Sequence, residues 1–273
     1  MSEKKSVRDW ADATSPELSQ GDPSRIVAVL PLAATEQHGP HLPFGTDTMI
    51  AEAYLARVRE LLPQNFTALF LPVQPIGIST EHTAFPGTLT LPAETALRSW
   101  TAIGDSVARA GIRKLVIVTS HGGNAAAMTI VAQDLRASHD MLVITTAWSR
   151  FAPPGLFSEQ EMRHGIHAGA IETSIMLAKH PDLVRTDRLA SFPSAGVAMD
   201  YDFKWLSTTR PAPFAWAMQD LNPQGAVGDA TQASAEKGIA MIDHGARCFC
   251  ELLHEVESFE LATLLSAGAR PRS

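Results

Sequence analysis

Continuous apolar runs and amphipathic stretches alternate along most of the chain. Residues 26–33 form an unbroken apolar run, typical of a strand that is covered on both faces of a sheet. The next stretch places Ile50 and Tyr54 on one helical face, with Thr46 or Asp47 as the expected N-cap. The alternation continues through predicted strands over 68–73, 115–119 and 141–146 and predicted helices over 92–111, 122–137, 169–179 and 231–256. This order predicts an α/β fold around a mainly parallel sheet.

The segments between these elements are rich in glycine and proline and are predicted to be loops. They cover residues 35–45, 74–91, 150–168 and 187–228. Residues 1–24 are polar and predict a surface lead-in with at most a short helix around Trp10. We expect one domain over residues 25–260 and a C-terminal tail over 261–273. Functional groups in such folds lie beyond the carboxyl ends of the strands, so a site is expected in the loops.

The composition argues against several classes of function. The 273 residues carry a formal net charge of −7 without a run of Lys or Arg, which argues against nucleic acid or an anionic membrane as the partner. The longest apolar stretch is far short of the ~20 residues that span a bilayer, and the charged start lacks the apolar segment of a secretory signal. Cys248 and Cys250 are the only cysteines, as expected of a reduced protein. The chain is therefore predicted to be a cytoplasmic enzyme or small-molecule binder.

The first cluster of polar residues follows the first predicted strand. In the loop T-E-Q-H-G-P-H-L-P-F-G-T-D, Glu36 and His38 are two residues apart, so their side chains point the same way in an extended segment. A Gly-Pro turn and Gly45 allow the chain to bring Asp47 back toward them. Carboxylate and imidazole groups are ligands that suit Zn²⁺, Mn²⁺ or Fe²⁺. The segment therefore predicts a divalent-metal site, and the alternative is a polar loop that ends in a capping aspartate.

A second cluster, T-S-H-G-G-N, ends the third predicted strand. His121 projects where the strand stops, and Gly122 and Gly123 allow a ligand to approach the backbone closely. Asn124 follows as a further candidate for contact with a substrate. The alternative is an anion site at the start of the next helix, because strand–glycine–helix turns also bind phosphate. The motif gains weight because it is expected to emerge beside the first cluster.

Two further segments carry polar groups. H-A-G-A-I-E-T leads into a helix and places Glu172 five residues after His167, so that one can serve as a metal ligand or orienting group and the other as a proton carrier. The alternative for Glu172 is a glutamate that complements the helix dipole. In G-I-S-T-E-H-T-A-F-P-G-T, Ser79, Glu81 and His82 are candidates for substrate contacts, with a solvated loop as the alternative.

Together these segments resemble the creatininase (creatinine amidohydrolase) family. The resemblance rests on T-E-Q-H-G-P-H-L-P-x-G-T-D, E-H-x-x-F-P-G-T, H-G-G-N and H-A-G-x-x-E-T in this order, and it covers roughly residues 26–180. G-A-V-G-D-A-T at 225–231 is similar to a late motif of the family. The chain has neither the G-x-S-x-G elbow of serine hydrolases nor a G-x-x-x-x-G-K-[ST] phosphate loop.

The resemblance implies a three-layer α/β/α sandwich, usually assembled as a homohexamer. It also implies one or two divalent cations per chain, of zinc, manganese or iron, at a centre that hydrolyses amide C–N bonds. His167 matches the acid/base position of the family, and Ser79 matches a substrate contact. Glu172 is either a ligand or a catalytic orienting group, and Asp47 is the expected bridge between two cations. The implied metal ligands are Glu36, His38, Asp47, His121 and Glu172.

The expected reaction is attack of a metal-activated water on an amide carbonyl. We expect His167 to protonate the departing nitrogen, while Asn124 and the backbone amides of Gly122 and Gly123 stabilise the oxyanion. These glycines stand where creatininases carry a bulky aromatic and a glutamate, and Ala170 stands where many members have an acid. A non-peptide amide, cyclic or linear, other than creatinine is therefore the expected substrate. The alternatives are a formamide deformylase or peptidase of the same family, a non-catalytic metal-containing binder, and a metal-free phosphate binder.

Overall fold

A parallel sheet of five strands forms the centre of the fold. The computed structural model describes residues 7–20 and 22–265. Its central strands are β1 (Val7–Asp9), β2 (Val27–Leu32), β3 (Ala68–Phe70), β4 (Lys114–Thr119) and β5 (Leu142–Ala147), in the spatial order β1-β3-β2-β4-β5. Each neighbouring pair is parallel, and β2 lies in the middle with Leu32 opposite Thr119 of β4. The predicted α/β fold with a mainly parallel sheet is confirmed.

Helices cover both faces of this sheet and make it the middle of three layers. The helices of the described residues are α1 (Ser15–Gln20), α2 (Thr46–Leu61), α3 (Ala93–Arg109), α4 (Ala125–His139), α5 (Glu159–His164), α6 (Ala170–Lys179), α7 (Ala195–Asp202), α8 (Met218–Leu221), α9 (Ala235–Ser258) and α10 (Ala262–Leu265). One face belongs to the apolar cluster of Tyr54 in α2 and Phe249 in α9. The other belongs to the cluster of Trp100 in α3 and Leu135 in α4. Because both faces are covered, every residue of β2 and β4 is buried.

Short elements divide the two long segments that were predicted to be loops. α5 lies within 150–168, and α7 and α8 lie within 187–228. The second segment also holds three strands of two residues each, β6 (Ser191–Phe192), β7 (Leu206–Ser207) and β8 (Ala212–Pro213), and a fourth, β9 (Gly228–Asp229), begins at its last residue. β6 pairs with β9 and β7 with β8. Elements this short have no detectable hydrophobic period, so the sequence pattern could not reveal them.

The N-terminal end of the chain differs from the prediction where it is described. β1 is an edge strand on β3, although residues 1–24 were predicted to be a lead-in with at most a short helix. Its strand is three residues long, and Asp9 accepts a hydrogen bond from the Arg59 guanidinium of α2. Residues 1–6 of the lead-in and 266–273 of the tail lie outside the described residues. None of the helices in 7–20 and 22–265 has both the length and the apolar character needed to cross a membrane.

The starts of α9 and α2 differ from the prediction, each for a local reason. α9 begins at Ala235 instead of Thr231, because the Ser234 hydroxyl caps it by accepting a hydrogen bond from the Lys237 N–H at 3.3 Å. α2 has Gly45 as its N-cap, without a side-chain capping bond. Asp47 is therefore not the cap of its helix. Its carboxylate is buried in the first turn of α2 and belongs to the site described next.

Candidate metal centre

The candidate site lies at the carboxyl edge of the three central strands. β2, β3 and β4 lie side by side and run in one direction, so the loops that follow them emerge together. The loop after β2 leads into α2, the turn after β4 leads into α4, and residues 165–169 lead into α6. These segments bring together six of the residues singled out in the sequence: Glu36, His38, Asp47, His121, His167 and Glu172.

Two overlapping groups of three side chains have the spacing of metal ligands. Glu36, Asp47 and His121 form the first group, and His38, Asp47 and Glu172 form the second; within each, the ligand atoms lie within 4.8 Å of one another. Nδ1 of His121 is 3.1 Å from Oε1 of Glu36 and 3.7 Å from Oδ2 of Asp47. Nε2 of His38 is 3.8 Å from Oδ2 of Asp47 and 3.8 Å from Oε2 of Glu172. Asp47 thus belongs to both groups.

Backbone carbonyls fix which nitrogen of each imidazole faces the carboxylates. Nδ1 of His38 is 3.0 Å from the carbonyl oxygen of Glu36, and Nε2 of His121 is 2.8 Å from that of Ile78. A carbonyl only accepts, so in the neutral ring these nitrogens carry the proton. The other nitrogen of each ring presents its lone pair to the carboxylates. This is the usual arrangement of metal-ligating histidines.

The unpartnered atoms of the cluster fit a bound cation. Both carboxylate oxygens of Glu36, Nε2 of His38 and Oδ2 of Asp47 are buried and have no hydrogen-bond partner among the described residues. Leaving such groups buried and unpaired is costly, and native structures rarely do so without a ligand or ion. The donors are oxygen and nitrogen atoms, which suit zinc, manganese or iron. The residues present therefore fit a divalent metal.

The pKa values of the buried carboxylates reflect the repulsion between their negative charges. Burial raises the pKa of Asp47 well above its usual value, and repulsion by Glu36 adds to this. Burial also raises the pKa of Glu172. Burial opposes ionisation of Glu36 as well, but attraction by His121 and other imidazoles outweighs it and lowers the Glu36 pKa. A divalent cation would relieve this repulsion.

His121 carries the compensating charge when the carboxylates have no other counter-ion. Burial by itself lowers the His121 pKa, but the negative charges of the nearby Glu36 and Asp47 carboxylates raise the pKa to about 10. A proton on Nδ1 therefore occupies the place between the two carboxylates. Binding of a cation at this position requires that proton to leave, so a cation and the proton compete for the same nitrogen.

The turn before α6 holds Glu172 in place. Ala168 has a φ of 53°, which is uncommon for a residue other than glycine, and its N–H donates to Oε2 of Glu172 at 2.6 Å. Glu172 therefore does more than complement the dipole of α6. Its carboxylate is held by the turn and directed toward His38.

Glu161 of α5 supports the same turn from outside the cluster. Oε1 accepts the N–H of Ala170 at 2.5 Å and Oε2 accepts that of Asp229 at 2.9 Å. Glycines make room for this carboxylate, because an added Cβ at Gly165 or Gly169 would lie 2.3 Å from Oε1. The sequence did not indicate this role, since Glu161 falls in a segment without recognisable periodicity.

His167 lies against the cluster but is turned partly away from it. Its Nε2 is 2.8 Å from the carbonyl oxygen of Gln37, and its Nδ1 is 3.6 Å from Oε1 of Glu36. Burial lowers the His167 pKa well below its usual value, and the neighbouring His38 and His82 lower it further. A neutral ring of this kind holds a lone pair at Nδ1, so it accepts a proton before it can donate one. Its spacing to Glu36 and His38 also makes these three residues a third candidate ligand group.

The two glycines after His121 have different surroundings. Gly122 is exposed, and a Cβ added there would meet no atom of the described residues within 4 Å. A Cβ at Gly123 would lie 2.3 Å from the Ile78 carbonyl oxygen and 2.6 Å from Oε1 of Glu81. Glu81 in turn is 3.5 Å from Nε2 of His121, and burial raises its pKa. Gly122 therefore borders open space, whereas position 123 must remain glycine.

The side chain of Asn124 connects the loops of the site by hydrogen bonds. The prediction was that it contacts the substrate. Its Oδ1 accepts the N–H of Ile78 at 3.0 Å. Its Nδ2 donates to the Ala33 carbonyl at 3.1 Å and to Oγ1 of Thr119 at 3.2 Å. Both amide protons and the amide oxygen are thus occupied, and the side chain is fully buried. Asn124 has no free N–H for an oxyanion, and it ties together the segments that follow β2, β3 and β4.

The third loop of the site adds two buried groups. Ser79 is fully buried, and its hydroxyl has no partner in the part of the chain that the structure describes. His82 is also buried, with Nε2 3.3 Å from Oε1 of Glu36, and burial lowers its pKa to about 4. The predicted alternative of a solvated loop therefore does not hold for these two residues. The sequence does not indicate the contact between Gln37 and His82, because it joins residues that are 45 positions apart in the chain.

The fold and this cluster define the chain as a three-layer α/β/α protein with a candidate divalent-metal centre, and the comparisons identify its family. The model of the creatininase family, described as creatinine amidohydrolase, matches residues 11–253. The chain therefore belongs to the creatininase family.

Two curated relatives carry different names. A mycofactocin precursor peptide peptidase of Mycobacterium ulcerans is 34% identical over 251 residues, which cover 90% of this chain and 88% of that protein. A creatinine amidohydrolase of Pseudomonas putida is 29% identical over 235 residues, which cover 80% of this chain and 84% of that protein. Both names describe hydrolases, and the chain is one.

Solved creatininases share the fold. The crystal structure of a creatinine amidohydrolase (creatininase) superposes with a TM-score of 0.73 at 25% identity and covers 94% of this chain and 100% of its own. A glutamate-to-glutamine mutant creatininase of Zn-Zn type superposes with a TM-score of 0.73 at 26% identity, covering 92% of this chain and 98% of its own. The three-layer architecture predicted from the sequence is confirmed, and a divalent metal is consistent with these neighbours.

Proposed function

We propose that this protein hydrolyses an amide C–N bond with two divalent cations, one in each of the two ligand groups that share Asp47. The observation that carries the proposal is the convergence of buried, unpartnered atoms of Glu36, His38 and Asp47. Bound divalent cations supply Lewis-acid chemistry, polarising an amide carbonyl and lowering the pKa of a water molecule. The first group would hold one cation through Nδ1 of His121, and the second would hold the other through Nε2 of His38 and the carboxylate of Glu172.

The remaining residues would deliver a proton to the departing nitrogen and donate hydrogen bonds to the developing oxyanion. His167 is neutral, so it can take up a proton at Nδ1 and deliver it to the departing nitrogen. The backbone N–H groups of Gly122 and Gly123 are the candidates for contact with the oxyanion, since the side chain of Asn124 is fully used. Ser79 offers an unpartnered hydroxyl for a polar group of the substrate.

The preferred substrate class is a non-peptide amide, cyclic or linear, other than creatinine. The family resemblance places an aromatic ring and a glutamate where this chain has Gly122 and Gly123, so the chain lacks those groups of creatininases. The space beside Gly122 also lets a substrate bulkier than creatinine approach the cluster.

Cleavage of a short peptide is the second candidate. It is favoured by the 34% identity to the peptidase of Mycobacterium ulcerans, against 29% for the creatinine amidohydrolase. The same residues would serve either reaction, because both break an amide C–N bond and need a proton on the leaving nitrogen.

Metal analysis followed by a substrate panel tests the proposal. Protein purified without chelator or a nickel column is expected to carry one or two equivalents of zinc, manganese or iron. The loaded protein is then assayed on cyclic amides, formamides, creatinine and short peptides. Turnover of cyclic amides or formamides supports the first candidate, and cleavage of peptides alone supports the second. Less than a tenth of an equivalent after dialysis against each metal, together with phosphate binding, would contradict both.

Assembly and location are further parts of the proposal. The family resemblance supports a homohexamer built from one domain over residues 25–260, and the two cysteines support a cytoplasmic location. Light scattering on the purified protein measures the mass of the assembly directly. A monomer at micromolar concentration would contradict the hexamer without affecting the chemistry.

A further inference from the structure

Gln37 is a buried amide whose orientation is fixed by its surroundings. Its Oε1 accepts the N–H of Gly39 at 3.0 Å, so its Nε2 is the end that lies 2.7 Å from Nδ1 of His82. The side chain has little freedom to turn, because even a Cβ at Gly225 would lie 2.2 Å from Oε1. An amide nitrogen only donates, and therefore Nδ1 of His82 accepts.

This contact determines where His82 carries its proton. With Nδ1 accepting, the neutral ring has its N–H at Nε2. Nε2 is the atom that lies 3.3 Å from Oε1 of Glu36. His82 and Glu36 are both buried, with side-chain exposures of 2% and 0%, so water does not compete for this contact.

We propose that Gln37 and His82 are positioning residues that aim the Glu36 carboxylate at the metal. The chain of contacts runs from the Gly39 N–H through Gln37 and His82 to Oε1 of Glu36. The His82 ring lies 3.3 Å from Oε1 without forming a hydrogen bond, so it restricts the rotation of the carboxylate by contact and by the dipole of its N–H, while Oε1 also lies 3.1 Å from Nδ1 of His121. Groups behind a ligand tune metal affinity in this way, and their loss typically weakens binding by about 10–100-fold. The inference rests on the proposed metal centre.

Metal affinity of the folded protein, measured by competition with a chelator, tests the proposal. We expect His82→Leu to bind Zn²⁺ about 10–100-fold more weakly than the wild type, and His82→Gln to recover part of that loss because its amide restores a donor. His164→Leu is the matched control: His164 is a buried histidine that contacts Asp200 instead of Glu36, and its loss is expected to leave Zn²⁺ affinity unchanged.

Gln37→Glu provides a second test with almost no change in shape. A carboxylate accepts from Nδ1 of His82, so the neutral ring loses the proton at Nε2 and presents a lone pair to Glu36. About tenfold weaker Zn²⁺ binding and an altered visible spectrum of the Co²⁺-loaded protein are expected, with an unchanged thermal midpoint of the metal-free form.

The outcomes separate this inference from the proposed function. If the wild type binds no metal, the proposed function fails. If the wild type binds Zn²⁺ and both His82→Leu and Gln37→Glu bind it equally well, the metal centre stands and the positioning role is wrong. Should His82→Leu fail to fold, the comparison of His82→Gln and Gln37→Glu with the wild type decides the question.

Discussion

The carboxylate of Glu161 accepts the backbone N–H of Ala170 at 2.5 Å and so ties α5 to the first turn of α6. Its second oxygen holds Asp229 in β9. Glu172 lies in the same turn as Ala170, so a residue outside the cluster determines where a candidate ligand stands. The stability of the fold and the geometry of the site are therefore linked at this carboxylate.

Removing the Glu161 carboxylate is expected to destabilise the protein. Glu161→Leu leaves two backbone N–H groups without their acceptor, which costs on the order of 3 kcal/mol in the free energy of unfolding. Urea unfolding measures the loss. Glu159→Leu, on the exposed side of the same helix, is the control and is expected to change stability by about 0.5 kcal/mol or less. Equal effects of the two substitutions would contradict the role of Glu161.

Substitution of Asp47 is expected to remove more metal from the protein than substitution of Glu172. Asp47→Ala removes the carboxylate common to both groups, so the protein should lose both cations and all turnover. Glu172→Ala affects the second group alone and should leave about one equivalent bound. Elemental analysis after gel filtration compares the two. Full metal content with full activity in Asp47→Ala would overturn the two-cation arrangement.

His167 is expected to matter for turnover and not for metal content. His167→Ala removes the lone pair at Nδ1 that is proposed to carry the proton, and general acid–base help is typically worth about 10²–10⁴-fold in rate. Metal content should remain that of the wild type. A loss of metal along with activity would instead assign His167 to the third ligand group, with Glu36 and His38.

Gly122 and Gly123 form a matched pair of positions. Gly122→Ala adds a methyl group into open space and is expected to leave the unfolding midpoint unchanged while altering the KM for substrate. Gly123→Ala forces a Cβ against the Ile78 carbonyl and Glu81, and we expect it to cost about 1–3 kcal/mol of stability. Thermal unfolding with kinetics on both variants gives the comparison. A tolerated Gly123→Ala would show that the loop after β3 can move away.

His41 is expected to make the metal-free protein less stable in acid. Burial lowers the pKa of His41 from 6.5 to about 4, so between these pH values the unfolded chain binds more protons than the folded one. The free energy of unfolding therefore falls as the pH drops from 6.5 to 4 and levels off below. We expect His41→Gln to remove about 2 kcal/mol of this dependence. Urea titrations at pH 4.5 and 7.5 with chelator present measure it, and identical pH slopes would contradict the assignment.

The central sheet and the convergence of the candidate ligands could be predicted from the sequence because each has a local signature. β2 and β4 are buried on both faces and therefore consist of apolar residues without interruption. Glu36 and His121 follow directly after such strands, where parallel sheets collect functional groups. The order of the loops around β2 then brings Asp47 and His121 together.

The remaining features depend on contacts between distant segments. β1 is stabilised by pairing with β3, and its three residues carry no pattern of their own. The sequence predicts Asn124 to be a polar group that contacts the substrate. In the structure its amide is hydrogen-bonded to the Ala33 carbonyl and to the Ile78 N–H instead. The roles of Glu161 and His82 likewise depend on partners far away in the chain.

The candidate ligands come from three stretches of chain that are brought together in the folded protein by the pairing of β4 with β2 and the packing of α6 against α9. Glu36, His38 and Asp47 leave the ribosome long before Glu172 does. A cation could therefore bind to the complete set only near the end of folding, when it would close loops that are expensive to close in an unfolded chain. Metal loading would then act as a check on completed folding, and supplying metal during refolding should raise the yield by stabilising the last step.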